Sequence, residues 1–473
     1  MKHPTVAAAL AAALTSIAAP ALHAAESAQL QQLRQEMDAL RKDYDARMAA
    51  LEARLKQAEA GLATGAPPAA IASGAAQAAA PTQPDASLPS PTPPAANAPT
   101  AANAFNPALA LILSASYASL SQDPATYQFP GFLTGGEIGA GPRGFSLGES
   151  ELTISGSIDP WFYGALSLAL TADNEAEVEE AFIQTTALPQ GLTLRAGRFL
   201  SGIGYHNEKH AHTWDFIDAP LAYQAFLGGA LRQDGLQLRA LLPTAQFIEL
   251  GAELGAMGEF PSGGESRSQP GTAALFVHTG GDIGASWSWR AGASLLWAES
   301  DARESDGLDA AGNTVTNVFA GNSRYAILDA VWKWAPNGNP QRNNLTLQGE
   351  YFWRRESGSL TYDSANLAQA DSYRSSQSGW YAQAVYQFVP SWRAGLRYDR
   401  LAIGNVDAAS NTANLYLPPH APSRTTLMLD WAPSEFSRVR LQYANDRVRY
   451  GLTDNQFLIQ YQMSLGAHGA HGF

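Results

Sequence analysis

Residues 345–354 run Leu345-Thr346-Leu347-Gln348-Gly349-Glu350-Tyr351-Phe352-Trp353-Arg354. The odd-numbered positions are apolar or glycine, and most of the even-numbered ones are polar or charged. A period of two marks a strand with one face in an apolar medium and the other in a wet one. The pattern recurs. Trp392, Ala394, Leu396 and Tyr398 alternate with Arg393, Gly395, Arg397 and Asp399. Val439, Leu441 and Tyr443 alternate with Arg438, Arg440 and Gln442, and Trp287, Trp289, Ala291, Ala293, Leu295 and Trp297 form another row. Leu236, Leu238, Ala240 and Leu242 repeat it. A soluble sandwich also alternates. Here, however, many apolar rows begin or end in an aromatic residue, as an interfacial girdle requires. Tight turns at Asp159-Pro160, 189–191, Pro243-Thr244, Pro390-Ser391 and Pro433-Ser434 alternate with long polar connections expected near 298–323, 355–376 and 402–423. This layout predicts an all-β fold over 105–473, a transmembrane antiparallel β-barrel of about 16 strands.

The rest of the chain agrees. It has 473 residues, a formal charge of −13, only 15% charged residues and no cysteine. The last point excludes thiolate metal sites, disulfides and cysteine nucleophiles. After the N-terminus no apolar run is long enough for a membrane-spanning helix. A closed barrel is the other structure that satisfies every backbone group in lipid. Residues 1–24 read as a signal peptide, with Lys2 and His3 ahead of a short apolar core and small residues before Ala24. Residues 25–60 read as a short α-helical coiled coil in the periplasm. Leu30, Leu33, Met37, Leu40 and Tyr44 keep heptad spacing, and Met48, Leu51 and Leu55 resume it after one stutter. Residues 61–104 form an Ala/Pro-rich linker whose one charge is Asp85. Phe457, Ile459, Tyr461, Met463 and Leu465 line one face of a final strand, expected to stop near Leu465. Phe473 shares its parity. The implied location is the bacterial outer membrane, with lipid as a partner and the N-terminal segment in the periplasm.

Strand parity also assigns an inward face. Arg195, Arg239, Arg290, Arg393, Arg397, Arg438 and Arg440 point into the barrel, with Glu249, Glu253, Glu350 and Asp399. These are the expected pore-lining residues, because an arginine facing lipid costs roughly 2–4 kcal/mol at the midplane. Residues 105–473 hold 23 Lys/Arg and 35 Asp/Glu, with one acidic cluster at Asp173, Glu175, Glu177, Glu179 and Glu180. An arginine wall facing acidic loop segments orders water and polar solutes in a narrow pore. The net acid argues for cation preference. The arginine rows argue the reverse if they line the narrowest point. His206, His210 and His212 share a connection with Glu208, Asp215 and Asp218, and His468 and His471 sit at the C-terminus. These imidazoles either bind a zinc-type ion or belong to a polar loop folded inward as a constriction. Otherwise no cofactor is implied. No phosphate-binding loop of the P-loop type occurs and nothing marks the acid pairs as catalytic, so the chain does not read as an enzyme, and no nucleic-acid partner is implied. The functional expectation is a passive diffusion channel for small polar or charged solutes. The alternatives are zinc-type ion uptake and a tether from the outer membrane to peptidoglycan through the coiled coil.

Two local motifs add a family likeness. Ala196-Gly197-Arg198-Phe199 leads into a loop, and Ser434-Glu435-Phe436-Ser437-Arg438-Val439-Arg440-Leu441-Gln442-Tyr443 lies near the end. Together with the signal peptide, coiled coil, linker and barrel, the chain resembles the phosphate-selective porin O and P-like group. The resemblance implies a 16-stranded homotrimeric channel. Phosphate selectivity is not implied, because beyond residue 105 the lysines are Lys209 and Lys333 alone.

Overall fold

The computed structural model describes residues 107–466 apart from positions 137, 140, 149, 172–174 and 266–267. The expected signal peptide, coiled coil and linker lie outside the described residues, as do Asp173, His468, His471 and Phe473.

The first strands are β1 (Ala108–Leu120), β2 (Gly144–Ser146), β3 (Ser150–Ser157), β4 (Phe162–Leu170), β5 (Ala176–Thr185) and β6 (Leu192–Leu200). Next come β7 (Arg232–Leu241), β8 (Phe247–Gly255), β9 (Thr272–Ile283), β10 (Trp287–Leu308), β11 (Thr314–Trp334) and β12 (Asn344–Tyr362). The last are β13 (Gln369–Val389), β14 (Trp392–Asp407), β15 (Ser423–Ser434), β16 (Ser437–Arg447) and β17 (Asp454–Gly466). From β3 onward each strand pairs antiparallel with the next. The sheet closes on itself, with Ala110 of β1 opposite Gly466 of β17 and Leu120 opposite Gln456. The other edge of β1 is shared. Residues 116–118 pair with β2 and residues 108–112 with β3. β2 and β3 are therefore two parts of one interrupted strand, and the closed barrel has sixteen, as expected. Closure leaves no unpaired edge.

The alternation read in 345–354 is the wall itself. On β12, Leu347 and Trp353 are exposed on the outside, while Gln348, Glu350, Phe352 and Arg354 are buried inside. On β15, Leu427, Leu429 and Trp431 face out, and Arg424, Thr426, Met428 and Asp430 face in. The outer apolar face is bounded by aromatics: Trp287, Trp392 and Trp431 near the tight-turn end, Trp297 and Trp353 further along. Trp287 and Trp297 lie ten residues apart on β10. That is ~33 Å along a strand, or ~25 Å in height at the ~40° tilt general to such barrels, which is the height of an apolar membrane band.

The tight turns occur where expected, and β1 begins and β17 ends at the same end of the barrel. Two of the three long polar connections differ from expectation. Most of 298–323 and 355–376 is strand, because β10 to β13 extend well past the aromatic belt, whereas 402–423 is a connection after β14 ends at Asp407. The cause is physical. Beyond the belt both faces of a hairpin are wet, so Ser, Asp, Glu and Arg occupy both, and the apolar row that marks a strand by sequence is lost while the ladder of hydrogen bonds continues.

The apolar core lies inside the barrel. Phe276, Leu296, Ile327, Phe352 and Leu401 point inward and pack on residues of two connections that enter the lumen. One is 121–143, between β1 and β2. The other is 201–231, between β6 and β7.

Candidate functional site: a segment that crosses the barrel

The 201–231 connection carries an apolar half and an acidic half. Its apolar half ends in helix α1 (Leu221–Leu227), every residue of which is buried. Pro220 precedes the helix. Gly228 ends it in the left-handed conformation at φ +68°, where glycine avoids a Cβ clash. Phe226 stacks on Phe352 of β12 with ring centroids 6.0 Å apart and meets Phe132 of the 121–143 connection edge-on at 5.8 Å. The 121–143 connection is held in turn by Arg354, whose Nη1 donates to the Leu133 carbonyl at 3.1 Å. A water-filled lumen would not retain these inward aromatics. They are buried because the crossing segment covers them.

The polar half is pinned to strands around the barrel. The Gly202 N–H and the Ser201 hydroxyl both donate to the carboxylate of Glu253 on β8, at 2.8 and 2.5 Å. Glu350 on β12 accepts four hydrogen bonds. The Tyr381 hydroxyl (2.6 Å) and the His206 N–H (2.9 Å) reach Oε1, and the Tyr223 hydroxyl (2.8 Å) and the Tyr205 N–H (3.2 Å) reach Oε2. Glu208 pairs with Arg239 of β7 and, at 3.3 Å, with Arg290 of β10. Asp215 pairs with Arg393 of β14 at 3.1 Å. Asp218 pairs with Arg397 of β14 at 3.0 Å and Arg424 of β15 at 2.5 Å, and accepts from Gln442 of β16 at 2.7 Å. The Leu221 N–H donates to Asp399 at 2.9 Å. Arg438 Nη2 donates to the His212 carbonyl at 2.8 Å. Burial would raise the carboxyls of Glu208 and Asp218. The facing guanidiniums outweigh it, holding Glu208 down at about 2 and Asp218 below the usual carboxylate range. Both are ionised at neutral pH.

Five of the arginines assigned inward by parity, Arg239, Arg290, Arg393, Arg397 and Arg438, are thus bonded directly to the crossing segment. Arg195 instead lies over the Phe182 ring at 4.1 Å and bonds Gln184, and Arg440 pairs with Asp430 at 3.3 Å. Glu249 meets His278 at 3.2 Å and Arg239 at 3.7 Å. In the acidic cluster Glu175 is exposed, and Glu177 pairs with Arg232 at 3.1 Å. Glu179 and Glu180 both reach His210, at 2.9 and 3.1 Å. Consecutive residues of a regular strand point to opposite faces. Here the β4–β5 register shifts between Ser167 and Leu168, and this bulge turns both glutamates inward.

The three loop histidines do not act together. His206 lies between the Trp214 and Tyr223 rings, with centroids 4.5 and 5.0 Å away. Its burial, and then the charge of Lys209, hold its pKa well below the usual histidine value. It is stacked in the core, and the ligand atoms that lie together are those of Glu151, His210 and His212. His210 and His212 instead meet Glu151 of β3, at 3.3 and 2.8 Å. Glu151, Tyr223, Tyr381 and Arg424 were missed by sequence reasoning. The available signal was the set of apolar residues on the inward face, which require something apolar inside the barrel.

Gly204 shows how tightly the segment is seated. It sits at φ +68°, and a Cβ there would overlap the Glu350 carboxylate and come within 2.6 Å of the Tyr223 hydroxyl. Gly204→Ala is therefore expected to destabilise the refolded protein by roughly 2 kcal/mol or more, read from its urea midpoint in micelles. Gly284, at φ +64° in the open β9–β10 turn with no atom near its Cβ position, supplies the control. Gly284→Ala should cost only the backbone part, and equal losses from both variants would refute the tight seating of Gly204.

Beside the segment, against β1, β4, β5 and β17, a cavity of about 530 Å³ remains. Ser116, Glu177, Glu179, His212, Asp218 and Gln460 are among its walls.

Fold and site together define a closed sixteen-stranded antiparallel barrel with a fixed segment across its lumen. No family model matches the chain. It is 30% identical over 396 residues to an uncharacterized protein of Aquifex aeolicus (strain VF5), covering 78% of this chain and 80% of that protein, and it belongs to the same family. Similar solved structures include a loop L8 deletion mutant of OmpT, an outer membrane protein of Vibrio cholerae, at 11% identity and TM-score 0.46, over 76% of this chain and 98% of that one. The outer membrane channel DcaP of Acinetobacter baumannii matches at 10% identity and TM-score 0.45, over 76% and 96%. OprB of Pseudomonas putida matches at 14% and 0.42, over 76% and 94%.

Proposed function

We propose that the chain is a passive diffusion channel of the bacterial outer membrane for small polar solutes and ions. The crossing segment 201–231 is its built-in constriction. The observation that carries this reading is the segment itself. It is tied by charged and hydrogen-bonded contacts to strands around the inner wall, yet it leaves a cavity of about 530 Å³ on one side, bordered by carboxylates. A barrel serving only as an anchor needs no such cavity. The apolar outer belt supports the membrane setting. Assembly as a homotrimer, and contact of the coiled coil with peptidoglycan, belong to the same reading and rest on the heptads of 25–60 and the resemblance of the layout to known porins.

The cavity lining favours one of the two opposing charge arguments. Most of the arginine wall is bonded to Glu208, Asp215, Asp218 and Asp430. Glu177, Glu179 and Asp218 border the cavity, with Arg232 as the guanidinium beside it. Carboxylates that border a low-dielectric passage raise the local cation concentration. The purified protein in a planar bilayer under a KCl gradient is expected to show stepwise conductance. Its reversal potential should correspond to a K⁺ over Cl⁻ permeability ratio of roughly three or more. A reversal potential of opposite sign would refute the cation preference. Folded protein that never conducts would refute the channel.

A further inference from the structure

Where the crossing segment meets the β3 and β5 wall, two imidazoles and three carboxylates converge. His210 Nδ1 is 3.3 Å from Glu151 Oε2 and 2.9 Å from Glu179 Oε2, and His212 Nδ1 is 2.8 Å from Glu151 Oε2. The ligand atoms of Glu151, His210 and His212 all lie within 4.8 Å of one another. Donors bound tetrahedrally at ~2.0–2.1 Å stand ~3.3–3.5 Å apart, so the donor shell is nearly assembled.

Three further features bear on a ligand. First, His210 Nε2 is 3.1 Å from Glu180 Oε2. A carboxylate that accepts the far N–H of an imidazole fixes its tautomer and aims the other nitrogen's lone pair, as metal-binding histidines require. Second, Glu151 is itself oriented, since its Oε1 accepts from the Thr153 hydroxyl at 2.6 Å. Third, Lys209, whose charge would oppose a cation, turns away, with its ammonium 3.8 Å from the Tyr205 ring centroid. His212 and Glu179 line the cavity, so an ion has a route in.

We propose that Glu151, Glu179, His210 and His212 form a binding site for one divalent transition-metal ion of the zinc type inside the barrel, with Glu180 orienting His210. Two nitrogens and two carboxylate oxygens favour zinc, cobalt, nickel or copper over calcium and magnesium, which prefer oxygen alone. The ion takes the place of any proton held at His210 Nδ1, so binding should weaken as pH falls. The inference goes beyond the channel reading, since binding to protein in micelles is measured without conduction.

The probe is Zn²⁺, titrated by calorimetry into the full-length protein in detergent, with heat-modifiable gel migration confirming a folded barrel. One equivalent per chain is expected, with a dissociation constant in the micromolar range or tighter. The paired substitution His210→Gln and His212→Gln should weaken it at least a hundredfold. Glu151→Gln keeps both imidazoles and the side-chain volume and should weaken it at least tenfold, so the test stands even if the paired variant does not fold. His468→Gln with His471→Gln should change nothing. The proposal is overturned if the wild type binds no Zn²⁺, if Glu151→Gln binds as tightly as the wild type, or if binding disappears with the C-terminal histidines.

Discussion

Asp218→Ala is expected to loosen the crossing segment and at least double the single-channel conductance, with added current noise. The reason lies in what Asp218 neutralises. Arg397 and Arg424 are almost wholly buried, and Asp218 pairs with both. Asp399 remains near them, at 3.0 Å from Arg397 Nε and 3.8 Å from Arg424 Nε, but one carboxylate then faces two guanidiniums. Removing one member of a buried ion pair costs roughly 3–5 kcal/mol, because the charge left behind is uncompensated. The segment relieves that cost by moving out and admitting water, which widens the passage. The same change removes a carboxylate from the cavity wall, so conductance should rise while cation preference falls. Adding Arg424→Met should recover part of the lost stability, since removing both partners costs less than stranding one. Burial opposes the Asp218 charge and the two guanidiniums outweigh it, so its carboxyl lies below the unfolded value. That stabilisation is complete above the unfolded pKa and is lost as pH falls through the depressed folded one. The clamp therefore operates at neutral pH. Unchanged conductance and noise from a folded Asp218→Ala barrel would refute the clamp.

The parts of this architecture that sequence exposes are those where one solvent meets one face. Leu347 and Trp353 must be apolar over the belt and Gln348 and Arg354 face inward, so parity alone placed them. Beyond the belt that constraint ends, and by sequence the extensions of β10 to β13 read as loops. The interior was legible only in its charges. The partners that fix Tyr205, His206 and Tyr223 converge on Glu350, more than 120 positions away in the chain. No local pattern encodes such a pairing. Phe276, Ile327, Phe352 and Met428 in otherwise polar rows were the trace the segment left on the wall. The Glu179–Glu180 bulge left none, because both residues are acidic and either parity looks plausible. Only its register shift brings them to the same imidazole.

Glu350 is the second point at which a single atom should decide the state of the lumen. Each of its carboxylate oxygens accepts one tyrosine hydroxyl and one backbone N–H. Glu350→Gln keeps the shape and one acceptor oxygen. Its NH₂ group can donate to a tyrosine oxygen, but it then faces the N–H of Tyr205 or His206 and leaves that buried donor unsatisfied, at about 1–3 kcal/mol. Glu350→Ala leaves both backbone donors and both hydroxyls without their acceptor and adds a cavity beside Phe352, so the loss should exceed that of glutamine severalfold. The barrel ladder itself does not pass through this side chain. Strand content by circular dichroism should stay constant in both variants, while protection of the Tyr205 and His206 amides against hydrogen exchange falls in the order wild type, glutamine, alanine. If the two amides stay as protected in the alanine variant as in the wild type, the segment is held by its apolar contacts and not by Glu350. The constriction would then be a hydrophobic wedge whose charges merely solvate it. If protection falls in the expected order, the polar pins and the α1 aromatics act together. Phe226 and Phe352 supply the burial that draws the segment inward, and Glu350 fixes the position at which it stops.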